Sequence, residues 1–352
     1  MGTSAEVIGH DAILRELRSL ASQRPPAHAV LLAGPEHTGR SLLAREYARL
    51  LNCQARQGGA MPGFDPPPIP CGECRHCRLI GDGAHPDVVH LSPGDALCRP
   101  RSGESGHPSH PDSRDIRICQ VRGTIELVAR YPFEAPYRVV VVDPAERMTP
   151  DAANTLLKTL EEPPSHSVFV LISAAPDQLL ETIVSRCRRI DVPTVPTATI
   201  EAGLVARGVD ASLAHDAATS ARGRPGLAIT FAAQPDLMGD RRRLLQRCAR
   251  IAAAGLSERF RYSQELRDRW RNDRASIFRE LETWEAFWEQ ALTASAAADR
   301  PAAVGALAAL NAVATAREHL LANVLPRTAF DAMLVAFPRR RLDEGGDAAV
   351  AS

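Results

Sequence analysis

Four cysteines and one glycine-bounded turn are the residues of this chain whose spacing points to chemistry. Cys71, Cys74 and Cys77 recur at every third position in Cys71-Gly72-Glu73-Cys74-Arg75-His76-Cys77, and Cys53 stands upstream. Turns of this kind aim thiolates at one tetrahedral zinc ion, and a four-sulfur shell leaves no position for a reacting water. The pattern reads as a structural Zn2+ site. Cys53 is the favoured fourth ligand because it ends a helical run beside the knuckle, with His76 and Cys98 as alternatives. Eight cysteines in 352 residues are too sparse for a disulfide scaffold. Cys119, Cys187 and Cys248 lack metal-like spacing and read as packed core thiols.

The turn is Gly34-Pro35-Glu36-His37-Thr38-Gly39-Arg40-Ser41, set between an apolar run and a helical run. Its spacing is that of a phosphate-binding loop, in which backbone N–H groups and a helix N-terminus close around phosphate oxygens. Ser41 would offer its hydroxyl to Mg2+. Arg40 stands where the lysine belongs, and a forked guanidinium replaces a point charge poorly. Lys158 is the only lysine in the chain, so part of that exchange reflects composition. Val139–Val142 ends in Asp143, a magnesium-associated position, but the next residue is Pro144, where hydrolysing NTPases place a glutamate; Glu146 follows two residues later. Ser185-Arg186-Cys187-Arg188-Arg189 follows the helix-like Asp177–Val184. Alone, such a patch is a solvated helix end; across an interface, its arginine can stabilise charge on a transferring phosphoryl group.

The elements that must position these residues alternate. The runs at 28–33, 137–143 and 167–173 read as buried strands, and Ser41–Leu51 and Asp151–Glu162 as helices between them. That order implies a parallel sheet covered on both faces. Gln57–Pro70 and Ser92–Ser113 are rich in Gly, Pro, Ser and His and read as loops. Past Pro196 the strand signal ends, leaving a small helical module and then a longer helical set carrying Trp270, Trp284 and Trp288. Lys+Arg and Asp+Glu each count 42, so the net charge is zero and any DNA contact must be local or shared with partners. No apolar run reaches the length of a membrane span, and Met1–Glu6 lacks the pattern of a signal peptide. A cytoplasmic, soluble chain is expected.

Taken together, the phosphate loop, the zinc knuckle, the Asp-ended strand, the run Asn154-Thr155-Leu156-Leu157-Lys158-Thr159-Leu160-Glu161-Glu162-Pro163-Pro164 and the triplet Ser185-Arg186-Cys187 resemble clamp-loader subunits of bacterial DNA polymerase III, an AAA+ family. The resemblance covers Val7–Val192 closely and the helical remainder loosely, with His319-Leu320-Leu321-Ala322-Asn323 similar to the family's oligomerisation collar. It implies an α/β AAA+ core over 1–195 with a zinc module at 53–77, a helical lid over 196–235, an all-helical collar over 236–337 and a tail over 338–352.

The resemblance also implies a role in DNA replication, and two kinds of subunit carry the pattern. Motor (gamma/tau) subunits hydrolyse ATP; the delta-prime stator class keeps the shape and typically does not. Arg40, Pro144 and Gly226, which stands where motors carry a second-sensor arginine near Arg224, favour the stator. Ser173 matches the first polar sensor position. On this reading Gly34, Gly39, Arg40, Ser41, Asp143 and Ser173 form a degenerate ATP and Mg2+ site without intrinsic catalysis. Arg186, between Ser185 and Cys187, is an arginine finger for a neighbouring motor. The implied partners are motor and delta subunits, with the sliding clamp and primed DNA reached through the assembly. The rivals are a motor using Glu146 as base, and a free-standing zinc-dependent nucleic-acid-binding protein.

Overall fold

The computed structural model describes residues 7–56, 69–94, 98, 110–111, 113–295, 299–322 and 324–338. The Gly/Pro-rich stretch 57–68, most of the 92–113 segment, Asn323 and the tail beyond Pro338 lie outside them. Two compact units divide the chain, 1–233 and 234–352.

The first unit holds one parallel sheet of β1 (Ala29–Ala33), β2 (Val88–Leu91), β3 (Arg138–Val142), β4 (Ser167–Ser173) and β5 (Arg188–Asp191), ordered β2-β3-β4-β1-β5. The three central strands are the three expected apolar runs, buried along their whole length. Side chains alternate across a strand, so β1 serves both faces. Val30 and Leu32 join the core with α1 (Asp11–Ser22) and α2 (Arg40–Asn52). Leu31 and Ala33 join the core with α4 (Ile118–Val128) and α5 (Pro150–Glu161). The intervening α3 (Arg75–Gly81) follows the cysteine knuckle.

Two readings of the sequence are corrected here. Arg188–Asp191, which looked like a basic patch, is the edge strand β5; only Ile190 is buried there, too little for a periodic signal. Its charges blunt the open edge, with Arg188 paired to Glu16 at 2.8 Å and Arg189 to Asp191 at 2.9 Å. The helix expected over 177–184 is instead a 3-10 turn, Pro176–Gln178, and a one-turn helix α6 (Glu181–Val184).

Three helices, α7 (Thr197–Val205), α8 (Ala211–Ala221) and α9 (Pro225–Ala233), close the first unit. The second unit contains α10 (Pro235–Ala253), α11 (Leu256–Trp270), α12 (Arg274–Ser295), α13 (Arg300–Leu321) and α14 (Pro326–Ala336) around Tyr262, Trp270, Trp284, Trp288 and Phe330. Its buried Arg259 donates to the carbonyls of Leu334, Phe337 and Ala252 at 3.0, 2.6 and 2.7 Å. Those carbonyls belong to helix C-terminal ends, which lack intrahelical donors and carry partial negative charge.

Candidate functional site

β1 delivers the chain to Gly34, and α2 carries it away from Arg40. Strand ends crowd at Gly34, where a Cβ would lie 2.1 Å from the Val192 carbonyl oxygen. Gly39 caps α2 at φ 98°, a left-handed conformation that glycine adopts freely. Between them the buried Thr38 donates its hydroxyl to the Pro35 carbonyl at 2.8 Å. His10 Nε2 donates to the Thr38 carbonyl at 2.8 Å, and the Gly226 N–H donates to the His37 carbonyl at 2.8 Å. Burial, opposed by the Thr38 carbonyl and by Asp11, holds His10 below the usual imidazole range, so the ring donates as a neutral group near pH 7. The loop is thus shaped by packing from α1 and α9 as well as by its glycines.

The remaining expected loop residues converge at the carboxyl ends of β1, β3 and β4, the edge where open α/β sheets bind ligands. Ser41 Oγ donates to Asp143 Oδ2 at 2.8 Å across 102 residues of sequence. Ser173 pairs with Ala33 in register, and its carbonyl accepts from the Gly34 N–H at 3.1 Å. Arg40 is 8 % exposed, and its Nη1 is buried with no hydrogen-bond partner among the described residues. Such orphaned donors are rare in folded proteins and mark places for water or an ion. The donor set fits a phosphate group with Mg2+: the Ser41 hydroxyl and Asp143 carboxylate for the metal, Arg40 and the loop N–H groups for the anion.

The base side of the site is different. Pro144 offers no acid, and Glu146 Oε1 accepts from the Ala174 N–H at 3.0 Å, clamping the turn after β3 to the end of β4. A Cβ at Gly226 would lie 3.0 Å from the His37 carbonyl oxygen, so a longer side chain there would start against the phosphate loop itself.

The four expected zinc ligands meet. The sulfurs of Cys53, Cys71, Cys74 and Cys77 all lie within 4.8 Å of one another, with Cys53 and Cys71 3.6 Å apart. Tetrahedral zinc with bonds of about 2.3 Å needs sulfurs separated by about 3.8 Å, and this cluster can hold it. Backbone N–H groups of Cys71, Cys74 and Cys77 each donate to the preceding thiol of the set at 3.4 Å. Gly72 turns the knuckle at φ 75°. The Cys77 thiol donates to Cys53, pulling Cys53 down to about 4 and pushing its donor up. Of the alternative ligands, His76 hydrogen-bonds His85 at 2.8 Å and Cys98 lies beside Cys119 at 3.0 Å. The module sits on α2: Arg49 Nε donates to the Cys77 carbonyl at 3.2 Å, and Arg45 Nη1 to that of Gly81 at 3.1 Å.

Cys74 also caps α3, accepting from the Cys77 N–H. Cys74→Ser keeps a good cap while removing one ligand, so its effect isolates the metal. A loss of roughly 2 kcal/mol or more is expected, a fall in Tm of about 5 °C for a unit of this size. An unchanged melting curve would show that the clip is dispensable.

Arg186 is 34 % exposed on its side chain. Its Nη2 pairs with Glu161 at 2.7 Å and its Nη1 donates to the Thr182 carbonyl at 2.8 Å. Ser185 Oγ donates to the same carbonyl at 3.2 Å. Burial pushes the Cys187 thiol up to about 12, which suits a packing residue. Glu161 lies inside the Leu-Glu-Glu-Pro-Pro run, so two motifs distant in sequence meet here; the run itself was the only signal for it.

Sequence reasoning missed a buried pair at the β2–β3 edge. Asp87 accepts from Arg138 Nη2 at 2.9 Å and from the N–H groups of Phe133, Glu134 and Ala135 at 2.6, 2.8 and 3.0 Å. Arg138 in turn donates to the carbonyls of Leu127, Arg130 and Tyr131. No motif announces such a pair, because its members are 51 residues apart and neither forms a spaced set.

The chain matches a family model described as DNA polymerase III, delta subunit, over residues 9–196. DNA polymerase III subunit delta' of Pseudomonas aeruginosa is 37% identical over 168 residues, covering 48% of this chain and 44% of that protein. DNA polymerase III subunit tau of Bacillus subtilis is 31% identical over 195 residues, 55% of this chain and 30% of its own. The delta' subunit of the same organism is 31% identical over 189 residues, 54% and 49% respectively. The chain thus spans less than half the length of these curated relatives. A gamma subunit-related protein from Thermotoga maritima superposes with a TM-score of 0.42 at 15% identity, covering 92% of this chain and 97% of that one.

Proposed function

The chain belongs to the family described as DNA polymerase III, delta subunit, AAA+ proteins of the clamp loader, and we propose that it is a delta-prime-type stator without ATPase activity of its own. In this role it holds motor (gamma/tau) and delta subunits in one ring. It also completes a neighbouring motor's active site with Arg186 during loading of the sliding clamp on primed DNA. The observation that carries this reading is the contrast between two places on one unit. The chain's own site has Pro144 in the base position and Glu146 clamped to Ala174, whereas Arg186 stays partly exposed under local restraints.

Magnitudes favour release of Arg186 toward a partner. Exposed ion pairs are worth roughly 0.2–1 kcal/mol, whereas an arginine finger is worth about 10³–10⁵ in rate, or roughly 4–7 kcal/mol. Glu161 therefore parks the guanidinium without trapping it. Glu161→Ala should change the ATPase of the assembled complex by less than about fivefold; a hundredfold loss would show that Glu161 holds Arg186 in its working position and does not merely park it.

When bound, ATP with Mg2+ would supply a structural anion and cation to the loop, held by Arg40, Ser41 and Asp143. The four-cysteine cluster acts as a structural Zn2+ clip ordering the excursion between α2 and β2. The test of the proposal is reconstitution: with motor and delta subunits the chain should form a complex that loads clamps on primed DNA, and the complex without it should not. Equal loading without this chain would overturn the reading.

A second reading, a gamma/tau-like motor, is favoured by the Ser41–Asp143 pair and by Arg40's orphaned Nη1. Similarity to tau of Bacillus subtilis is comparable to similarity to delta' of that organism. It requires Glu146 to leave Ala174. A free-standing nucleic-acid-binding role is disfavoured by the zero net charge. Among the described residues no helix is long and apolar enough to cross a membrane.

A further inference from the structure

We propose that Cys98, His110 and Cys119 form a second metal site, a two-thiolate, one-imidazole set for a zinc-class divalent ion, separate from the four-cysteine cluster. Their ligand atoms lie within 4.8 Å of one another, and the sulfurs of Cys98 and Cys119 are 3.0 Å apart. Cys119 is buried on the second residue of α4; Cys98 and His110 are half-buried. This differs from the sequence reading of Cys119 as a packed core thiol, because sequence spacing could not show Cys98 and His110 meeting it at the start of α4.

The described residues flanking the three donors are held by contacts of their own. Gly94, at φ 79°, lies against the returning chain so closely that a Cβ would be 2.5 Å from the Pro111 carbonyl oxygen. Gln120 Nε2 donates to the Ser92 carbonyl at 3.0 Å, and its Oε1 accepts from the Arg117 N–H at 2.8 Å. Ile116 donates to the Arg147 carbonyl at 2.8 Å and accepts from Thr149 at 3.0 Å. Both ends of the segment are therefore pinned beside α4. Its sequence from Arg99 to Asp115 contains no aliphatic, Phe, Tyr or Trp side chain. A stretch so poor in core residues gains folding free energy from a metal that it cannot gain from packing.

Donor chemistry selects the ion. Thiolate with imidazole suits zinc, whereas Mg2+ and Ca2+ take oxygen ligands. On loading, the two sulfurs would part by about 0.8 Å to reach the roughly 3.8 Å that tetrahedral zinc requires. A disulfide would draw them to about 2.05 Å and consume both thiols, which would leave no thiolate for an ion. The third such cluster, His76, His85 and Glu134, has contacts of its own, although Glu134 Oε1 is buried with no hydrogen-bond partner among the described residues. His85 Nδ1 accepts from the Asp87 N–H at 3.0 Å and its Nε2 meets His76 Nδ1 at 2.8 Å, while Glu134 pairs with Arg75 at 2.9 Å.

The test is zinc content of the full-length chain, purified under reducing conditions with zinc present and measured by elemental mass spectrometry. Wild type should carry about two ions, and Cys98→Ser and His110→Ala should each carry about one. Cys74→Ser should lose the other ion, and its combination with Cys98→Ser should lose both. Circular dichroism matching wild type confirms folding; Cys98 and His110 are chosen over buried Cys119 for that reason. A single ion in wild type, a second ion indifferent to Cys98→Ser, or a Cys98–Cys119 disulfide in peptides from freshly purified protein would each overturn the proposal.

Discussion

Arg186→Ala should lower ATP turnover at the neighbouring motor site by about 10³-fold or more. The measurement uses a reconstituted clamp-loader complex whose other motor sites are inactivated, so that one site is read. A finger acts on charge that develops in the transition state, so kcat falls while ATP affinity changes little. Folding is not at stake: the Arg186–Glu161 pair is partly exposed on both sides and contributes at most about 1 kcal/mol. Arg188→Ala is the matched control, because Arg188 is 61 % exposed on its side chain and bonds Glu16 of its own chain. Equal turnover in wild type and Arg186→Ala would assign Arg186 to local pairing alone.

The largest stability effect is expected at Asp87→Ala. The substitution leaves Arg138, 4 % exposed, as an uncompensated buried charge, and strips the acceptor from three backbone N–H groups. Breaking one side of a buried pair costs about 3–5 kcal/mol. For a unit of this size that is a Tm lower by roughly 6–20 °C. Asp87→Ala with Arg138→Met should recover part of the loss, because removing both partners relieves the orphaned charge. A loss below about 1 kcal/mol would show that water reaches the pair.

Acid should act in the same direction as that substitution. Burial opposes the Asp87 charge, but hydrogen bonds from Glu134, Phe133, Arg138 and Ala135 outweigh it and hold the carboxyl below its ordinary 3.8. A group depressed in the folded state binds fewer protons there than when unfolded. Its stabilisation is complete above 3.8 and is lost as pH falls from there through the folded value. In Asp87→Ala this part of the acid dependence should vanish.

Sequence patterns announced those parts of the molecule where one local run fixes both structure and chemistry. The three central strands are apolar throughout because both faces are buried. The phosphate loop and the cysteine knuckle each need glycines and donors at set intervals. Edge strands β2 and β5 escaped notice because four residues with one or two buried positions carry no period. Asp87–Arg138, Arg186–Glu161 and Cys98–Cys119 escaped for another reason: each pair is brought together by topology, and no spacing within either partner's own run points to the other. The Gly226 contact with His37 belongs to the same class, visible only once α9 is seen against the phosphate loop.

A stator of this kind should not hydrolyse ATP itself. The most direct measurement is a titration of the purified chain, without partners, with ATP and Mg2+, following binding and phosphate release together. Absence of release above background is the predicted result. Any binding should then weaken in Asp143→Ala, because on this reading Asp143, hydrogen-bonded by Ser41 at 2.8 Å, would hold the metal. Sustained phosphate release that disappears in Asp143→Ala would contradict the account and make the chain a motor, with Glu146 freed from Ala174 to act as its base.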